Sequence, residues 1–148
     1  MLTATKVHTG AGKFREAYSG YMAPLSRELG MSQTALDILM FLANNPTLST
    51  AGDICRFLGL KPAIVSFHVE KLVQQGLLER LDTPGVRRRR PLAPTQKATA
   101  LVERGRQMQA DFSKALLQGL TEEELEVFTR CLDVMEENLT ALTAEEEK

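Results

Sequence analysis

The chain has 148 residues of which 43% are apolar, enough to bury one core but not two independent ones. Its net charge of −1 excludes a uniformly basic or acidic protein. No basic-apolar-small leader pattern opens it, and no apolar run approaches the ~20 residues that span a bilayer. A single-domain, soluble, cytoplasmic protein without a membrane partner is therefore expected. The near-neutral total conceals an asymmetry: residues 48–97 carry nine Lys/Arg against four Asp/Glu, and residues 98–148 carry five against twelve. The first segment suits a polyanion, while the second would be repelled by one.

Phe14, Tyr18, Tyr21 and Leu25 are spaced four, three and four, one face of a helix predicted over about 12–29, with Gly30 as its stop. Ser32 caps a second helix to about Asn44, whose Leu36, Leu39, Phe41 and Leu42 supply core before Asn45-Pro46 breaks it. Thr50 and Asp53 form a capping-box pattern for a short third helix, about Ala51 to Leu58. After the turn Leu58-Gly59-Leu60, Pro62 opens a fourth helix that runs to about Gln75 and stops at Gly76.

The fourth helix carries the functional signal. Val65, Val69 and Leu72 form its inward stripe, and an advance of ~100° per residue puts Ala63, Phe67, Glu70 and Gln74 opposite, with Ser66 and Lys71 at the margins. Residues 77–81 and 89–92 read as two short strands around Asp82-Thr83-Pro84-Gly85, and Pro91 and Pro94 confine the second to an edge. Two short helices, a turn and a basic hairpin in this order are the pattern of a winged helix-turn-helix, which points to double-stranded DNA. The fold class expected is mainly α with a small β-hairpin wing.

A fifth helix from about Gln96 carries Leu101, Met108, Phe112, Ala115 and Leu116 and ends at Gly119. Thr121 and Glu124 then form a capping box for a sixth. Its Leu125, Phe128, Leu132, Met135, Leu139 and Leu142 make a sustained seam that periodicity permits, without requiring, to meet a second copy. Cys55 and Cys131 lie among apolar residues with no C-x-x-C or His cluster, and are expected to be buried free thiols. No metal site and no cofactor is expected.

The segments Leu58 to Pro62, Val65-Ser66, Lys71 to Arg80 and the wing from Asp82 to Thr95 resemble those of MarR-type transcriptional regulators. The resemblance covers nearly the whole chain. It implies a winged module over 32–95, dimerisation helices over 1–30 and 96–148, and a homodimer on a pseudo-palindromic operator. On this reading Phe14, Tyr18, Tyr21 and Leu25 join the sixth-helix seam at the dimer interface. Lys61, Ala63, Ser66, Phe67 and Lys71 enter or border the major groove, Arg87, Arg88, Arg89 and Arg90 follow the adjacent minor groove and backbone, and Ser49 and Thr50 donate to phosphate. Tyr18, Tyr21 and Met40 are candidates for a small-molecule effector pocket, with ordinary core packing as the alternative. Phe67 has packing on its own chain as its alternative, and His68, ~60° from the core stripe, reads as a boundary residue.

Departures from the family pattern are local. Gly85-Val86 precedes Arg87 where relatives commonly hold an Asp, Ala98 replaces a common Gly, and Lys61 stands where a Ser often caps the fourth helix. A lysine accepts no cap hydrogen bond but can reach a phosphate. The N-terminal cysteine of peroxide-sensing relatives is absent. No phosphate loop, nucleophile motif or apolar carboxylate pair suggests an enzyme. The remaining alternatives are a winged protein-interaction module without DNA binding and an ArsR-type winged regulator, faintly suggested by Ser66-Phe67-His68.

Overall fold

The computed structural model describes residues 1–82 and 90–146. Helix α1 (Ala4–Glu28) begins eight residues before the expected Gly12, because the Thr3 hydroxyl accepts the Lys6 amide at 3.2 Å and supplies a cap. It continues through Pro24, whose ring removes one amide donor from the ladder. At its end Met31 N–H donates to Ser26 O and Gly30 N–H to Arg27 O, the paired bonds of a Schellman stop. Helix α2 (Gln33–Asn44) is capped by Ser32 as expected.

Helices α3 (Ala51–Leu58) and α4 (Pro62–Gln74) meet at Gly59, whose φ of 64° is left-handed backbone that other residues adopt at a cost. The capping box of α3 is complete: Asp53 N–H reaches Thr50 Oγ1 at 3.2 Å, and Thr50 N–H reaches Asp53 Oδ2 at 3.0 Å. Pro62 at the first turn fixes the start of α4, and no side chain caps it. Gly76 turns the chain with φ 72°, and Thr95 Oγ donates to its carbonyl at 2.5 Å, tying the end of α4 to the far side of the hairpin.

Strands β1 (Leu78–Arg80) and β2 (Leu92–Pro94) pair antiparallel with register Leu78↔Pro94, Glu79↔Ala93 and Arg80↔Leu92. The second strand thus lies later than the expected 89–92. Pro91 has no amide to pair, whereas its carbonyl accepts Leu81 N–H at 2.8 Å, and the Leu92 amide turns the other way to Ser49 O at 2.7 Å. Proline 94 ends the ladder, where its missing donor costs least. A 3-10 turn (Gln96–Ala98) precedes α5 (Thr99–Leu116), so that helix begins three residues later than expected.

Two clusters fill the interior. Ile38, Leu39 and Leu42 of α2, Ile54 of α3, Val65, Val69 and Leu72 of α4, Leu78 and Leu92 of the hairpin, and Ala98 with Val102 form the first. The predicted inward stripe of α4 is therefore its buried face. Met22 and Leu25 of α1 with Leu36 and Met40 of α2 form the second. Gly105 of α5 makes room for it: a Cβ there would lie 2.5 Å from Met40 Sδ.

The chain divides into two compact units, Met1–Phe112 and the segment from Ser113 onward. In the second, α6 (Glu122–Glu146) opens with its expected capping box, Glu124 N–H to Thr121 Oγ1 at 3.2 Å and Thr121 N–H to Glu124 Oε2 at 2.8 Å. None of its described residues is buried. Cys131 is consequently exposed rather than buried, and Cys55 is half-buried.

Candidate nucleic-acid interface

With Val65, Val69 and Leu72 committed to the core, and His68 and Val73 half-buried beside them, the opposite face of α4 is exposed. Lys61, Ala63, Ser66, Phe67, Glu70, Lys71 and Gln74 are all exposed, and Phe67 retains 63% of its accessible surface. Phe67 is the most exposed of the large apolar side chains on α4, ahead of Ile64. The ring edge of Phe67 meets His68 at 5.1 Å between centroids. His68 is half-buried, and its Nδ1 is shielded from solvent with no hydrogen-bond partner among the described residues, in keeping with its boundary position.

At the turn before α3 the Thr50 hydroxyl has an acceptor within the chain. Thr50 Oγ donates to Asp53 Oδ2 at 2.7 Å, so its proton is used inside the capping box, and Ser49 is half-buried with its carbonyl bound to Leu92. A phosphate reaching Thr50 would have to compete with a charge-assisted bond. The Thr50 hydroxyl thus accepts the Asp53 amide and donates to the Asp53 carboxylate.

Arg90 stands exposed at the base of the hairpin, 4.0 Å from Asp82. Arg87, Arg88 and Arg89, with the Gly85-Val86 departure, lie outside the described residues. Between α4 and the strands runs a cleft of about 980 Å³ whose lining includes Ser66, Phe67, Glu70, Lys71, Gln74, Arg80 and Arg90. Arg80 and the role of Glu70 escaped the sequence reading. The available signal was the two-residue period of β1, which sets Arg80 on the same side as the buried Leu78, facing α4.

The remaining expected positions divide. Phe14 and Tyr21 are exposed and Tyr18 is half-buried, and all three rings meet Phe112, at 5.5, 5.6 and 5.4 Å between centroids. Leu25, by contrast, is fully buried in its own chain and offers nothing to a partner: spaced with the aromatics, it lies at the end of α1 that α2 covers. Met40 is also core, filling the space that Gly105 leaves, and so lines no open pocket. The Tyr18 hydroxyl accepts from Gln109 Nε2 at 2.6 Å, and Gln109 Oε1 accepts from Asn44 Nδ2 at 2.9 Å. Burial pushes the Tyr18 hydroxyl pKa up, against the Gln109 bond, and burial likewise raises the Asp37 carboxyl despite a 2.9 Å bond from Gln33. On α6, Phe128, Leu132, Leu139 and Leu142 are exposed, while Leu125 and Met135 are half-buried. Among the described residues no group of His, Cys, Asp or Glu is placed to hold a metal, and no helix is long and apolar enough to cross a membrane.

A helix pair joined by a tight turn, with its second helix exposed beside a two-stranded hairpin, is a winged helix-turn-helix. Residues 29–89 match the model of the MarR family, and the chain has the fold of MarR-type regulators. A protein of Listeria monocytogenes described as a MarR family transcriptional regulator, complexed with 26mer DNA, is 19% identical with a TM-score of 0.79, over 94% of this chain and 90% of that one. A MarR transcriptional regulator from Methanosarcina mazei is 15% identical with a TM-score of 0.78, over 96% and 94%. The MarR protein from Peptoclostridium difficile is 20% identical with a TM-score of 0.76, over 94% and 92%. No curated protein matches the chain in sequence.

Proposed function

We propose that the protein is a sequence-specific double-stranded-DNA-binding transcriptional regulator, a cytoplasmic homodimer that acts as a repressor and performs no chemistry at its site. The observation that carries this reading is the fully exposed outer face of α4, with Phe67 at its centre, beside a hairpin whose sequence supplies four consecutive arginines. In it Ala63, Ser66 and Phe67 face base edges in the major groove, Phe67 meeting a thymine methyl, while Lys61 and Lys71 border them. Arg87 to Arg90 take the neighbouring minor groove and backbone, and Ser49 and Thr50 approach phosphate. Two such modules must match half-sites about one helical turn, ~34 Å, apart, which calls for a dimer.

The dimer interface in this reading comprises the α6 seam from Leu125 to Leu142 with Phe14, Tyr18 and Tyr21 of α1. Its support is the exposure of most of these apolar side chains on the isolated chain. A small-molecule effector acting on such a dimer would work by changing the spacing of the two α4 helices; Tyr18 and Tyr21 remain its candidate contacts. Selection of bound sequences from random duplex DNA tests the proposal. Recovery of a two-fold related motif is the expected result, and absence of any enriched sequence at low salt would overturn it.

A further inference from the structure

Resting on the DNA-binding reading above, the geometry points to a second contact surface that the α4 face and the arginine run do not include. We infer that the cleft between α4 and the β1–β2 strands takes one sugar-phosphate strand, that Arg80 is its phosphate ligand, and that Glu70 is a positioning residue for Arg80. A recognition helix in the major groove and a wing in the next minor groove have a backbone strand between them. The cleft lies in that position. Among its described lining residues Lys71, Arg80 and Arg90 are opposed by the single carboxylate of Glu70, an excess of positive charge that attracts a polyanion.

The carboxylate is itself held on both oxygens. Arg80 Nη2 donates to Glu70 Oε2 at 2.8 Å, and Gln74 Nε2 approaches Glu70 Oε1 at 3.5 Å. A guanidinium has five N–H donors in a fixed fork, so one that donates to a carboxylate oxygen, as Arg80 does from Nη2 at the cleft it lines, retains donors for a second acceptor. Stability is a poor reason for such a pair, since an ion pair as exposed as this one contributes little to folding. Its geometric consequence is larger: the pair ties the Arg80 guanidinium to α4 at the cleft it lines, so less of the side chain's freedom remains to be lost on meeting a phosphate. Arg80 on this account positions without reading sequence.

Salt dependence of binding distinguishes this role. The selected duplex and a random-sequence duplex of equal length are titrated with unmodified protein, Arg80→Gln, Arg80→Lys, Glu70→Gln and the double variant Glu70→Gln/Arg80→Gln, over about 50–200 mM salt. Arg80→Gln is expected to weaken both duplexes by a similar factor and to lower the slope of log K against log salt by about 0.9, one phosphate contact. Arg80→Lys should keep the slope, and Glu70→Gln should alter affinity only while Arg80 is present. An unchanged slope in Arg80→Gln, or a change of preferred sequence instead, would overturn the assignment. If the unmodified protein prefers no duplex and shows no salt-dependent binding, the DNA-binding reading itself fails, a result distinct from failure of Arg80 alone.

Discussion

The module built from α2, α3, α4 and the hairpin and the helix α6 have equally regular apolar spacing, yet they use it in opposite ways. In the module Ile54, Val65, Leu72 and Leu78 are each at most 2% exposed, and among its described residues Phe67 is the most exposed of the few large apolar side chains left outside. On α6, Leu139 and Leu142 are 59% and 62% exposed although they continue a seam as regular as that of α4. Periodicity marks a face that needs covering, but it does not say what covers it. A helix whose cap is formed and whose seam is open gains little from burial in its own chain, and the proposed dimer would supply the contacts it lacks.

The sharpest way to break this contrast is to truncate both seams. Leu72→Ala removes a wholly buried side chain and should destabilise by about 2–5 kcal/mol, whereas Leu142→Ala in the isolated chain should stay within about 0.5 kcal/mol. Urea unfolding at a concentration where the protein is monomeric reads both. Comparable losses would show that α6 is packed within its own chain.

A dimer alters the second half of the comparison. At micromolar concentration sedimentation should give a dimer, and Leu132→Asp with Met135→Asp should raise its dissociation constant at least about a hundredfold, roughly 3 kcal/mol, because a charge in an apolar contact must be desolvated. A stable monomer for the unmodified chain would remove the interface proposal.

Phe67 tests the exposed side of the module. Phe67→Ala should leave thermal stability nearly unchanged, since the ring buries little, but shift base preference at one position by about 1–3 kcal/mol. The same selected motif after substitution would return Phe67 to packing within the protein.

The smallest effect is expected at Asp37. Burial raises its pKa on folding, so the folded chain holds the proton to higher pH than the unfolded one. This contribution favours folding most at pH below the ordinary aspartate range and is lost as pH rises through the folded value. Asp37→Asn should therefore stabilise slightly at neutral pH, where the carboxylate is charged, and flatten stability against pH just above that range. Urea midpoints from pH 3 to 7 measure both.

The six helices, the caps of α2, α3 and α6 and the inward stripe of α4 were legible because each rests on neighbours in sequence: Ser32 with Ala35, Thr50 with Asp53, Thr121 with Glu124. The exposed face of α4 followed from helix geometry once that stripe was set. The start of α1 was not, since Gly10 and Gly12 weaken the pattern that Thr3 nevertheless caps. Leu25 and Met40 are the candidate site residues that tertiary packing buries. Leu25 sits at helical spacing with the exposed Phe14 and Tyr21, and Met40 is a candidate beside Tyr18 and Tyr21, yet Leu25 is buried with Met22, Leu36 and Met40, and Met40 depends on the absent side chain of Gly105.

The sequence alone determined the local elements, the tight left-handed turn at Gly59 and the concentration of positive charge in 48–97, because each depends on residues within a few positions of one another. Tertiary structure decided what distant residues do together. The β2 register depends on Ser49 taking the Leu92 amide, the core place of Met40 depends on a glycine 65 positions later, and the Glu70–Arg80 pair depends on a hairpin folding back onto α4. No residue's own period carries the identity of such a partner, since the distance between the two is set only when the chain between them has folded.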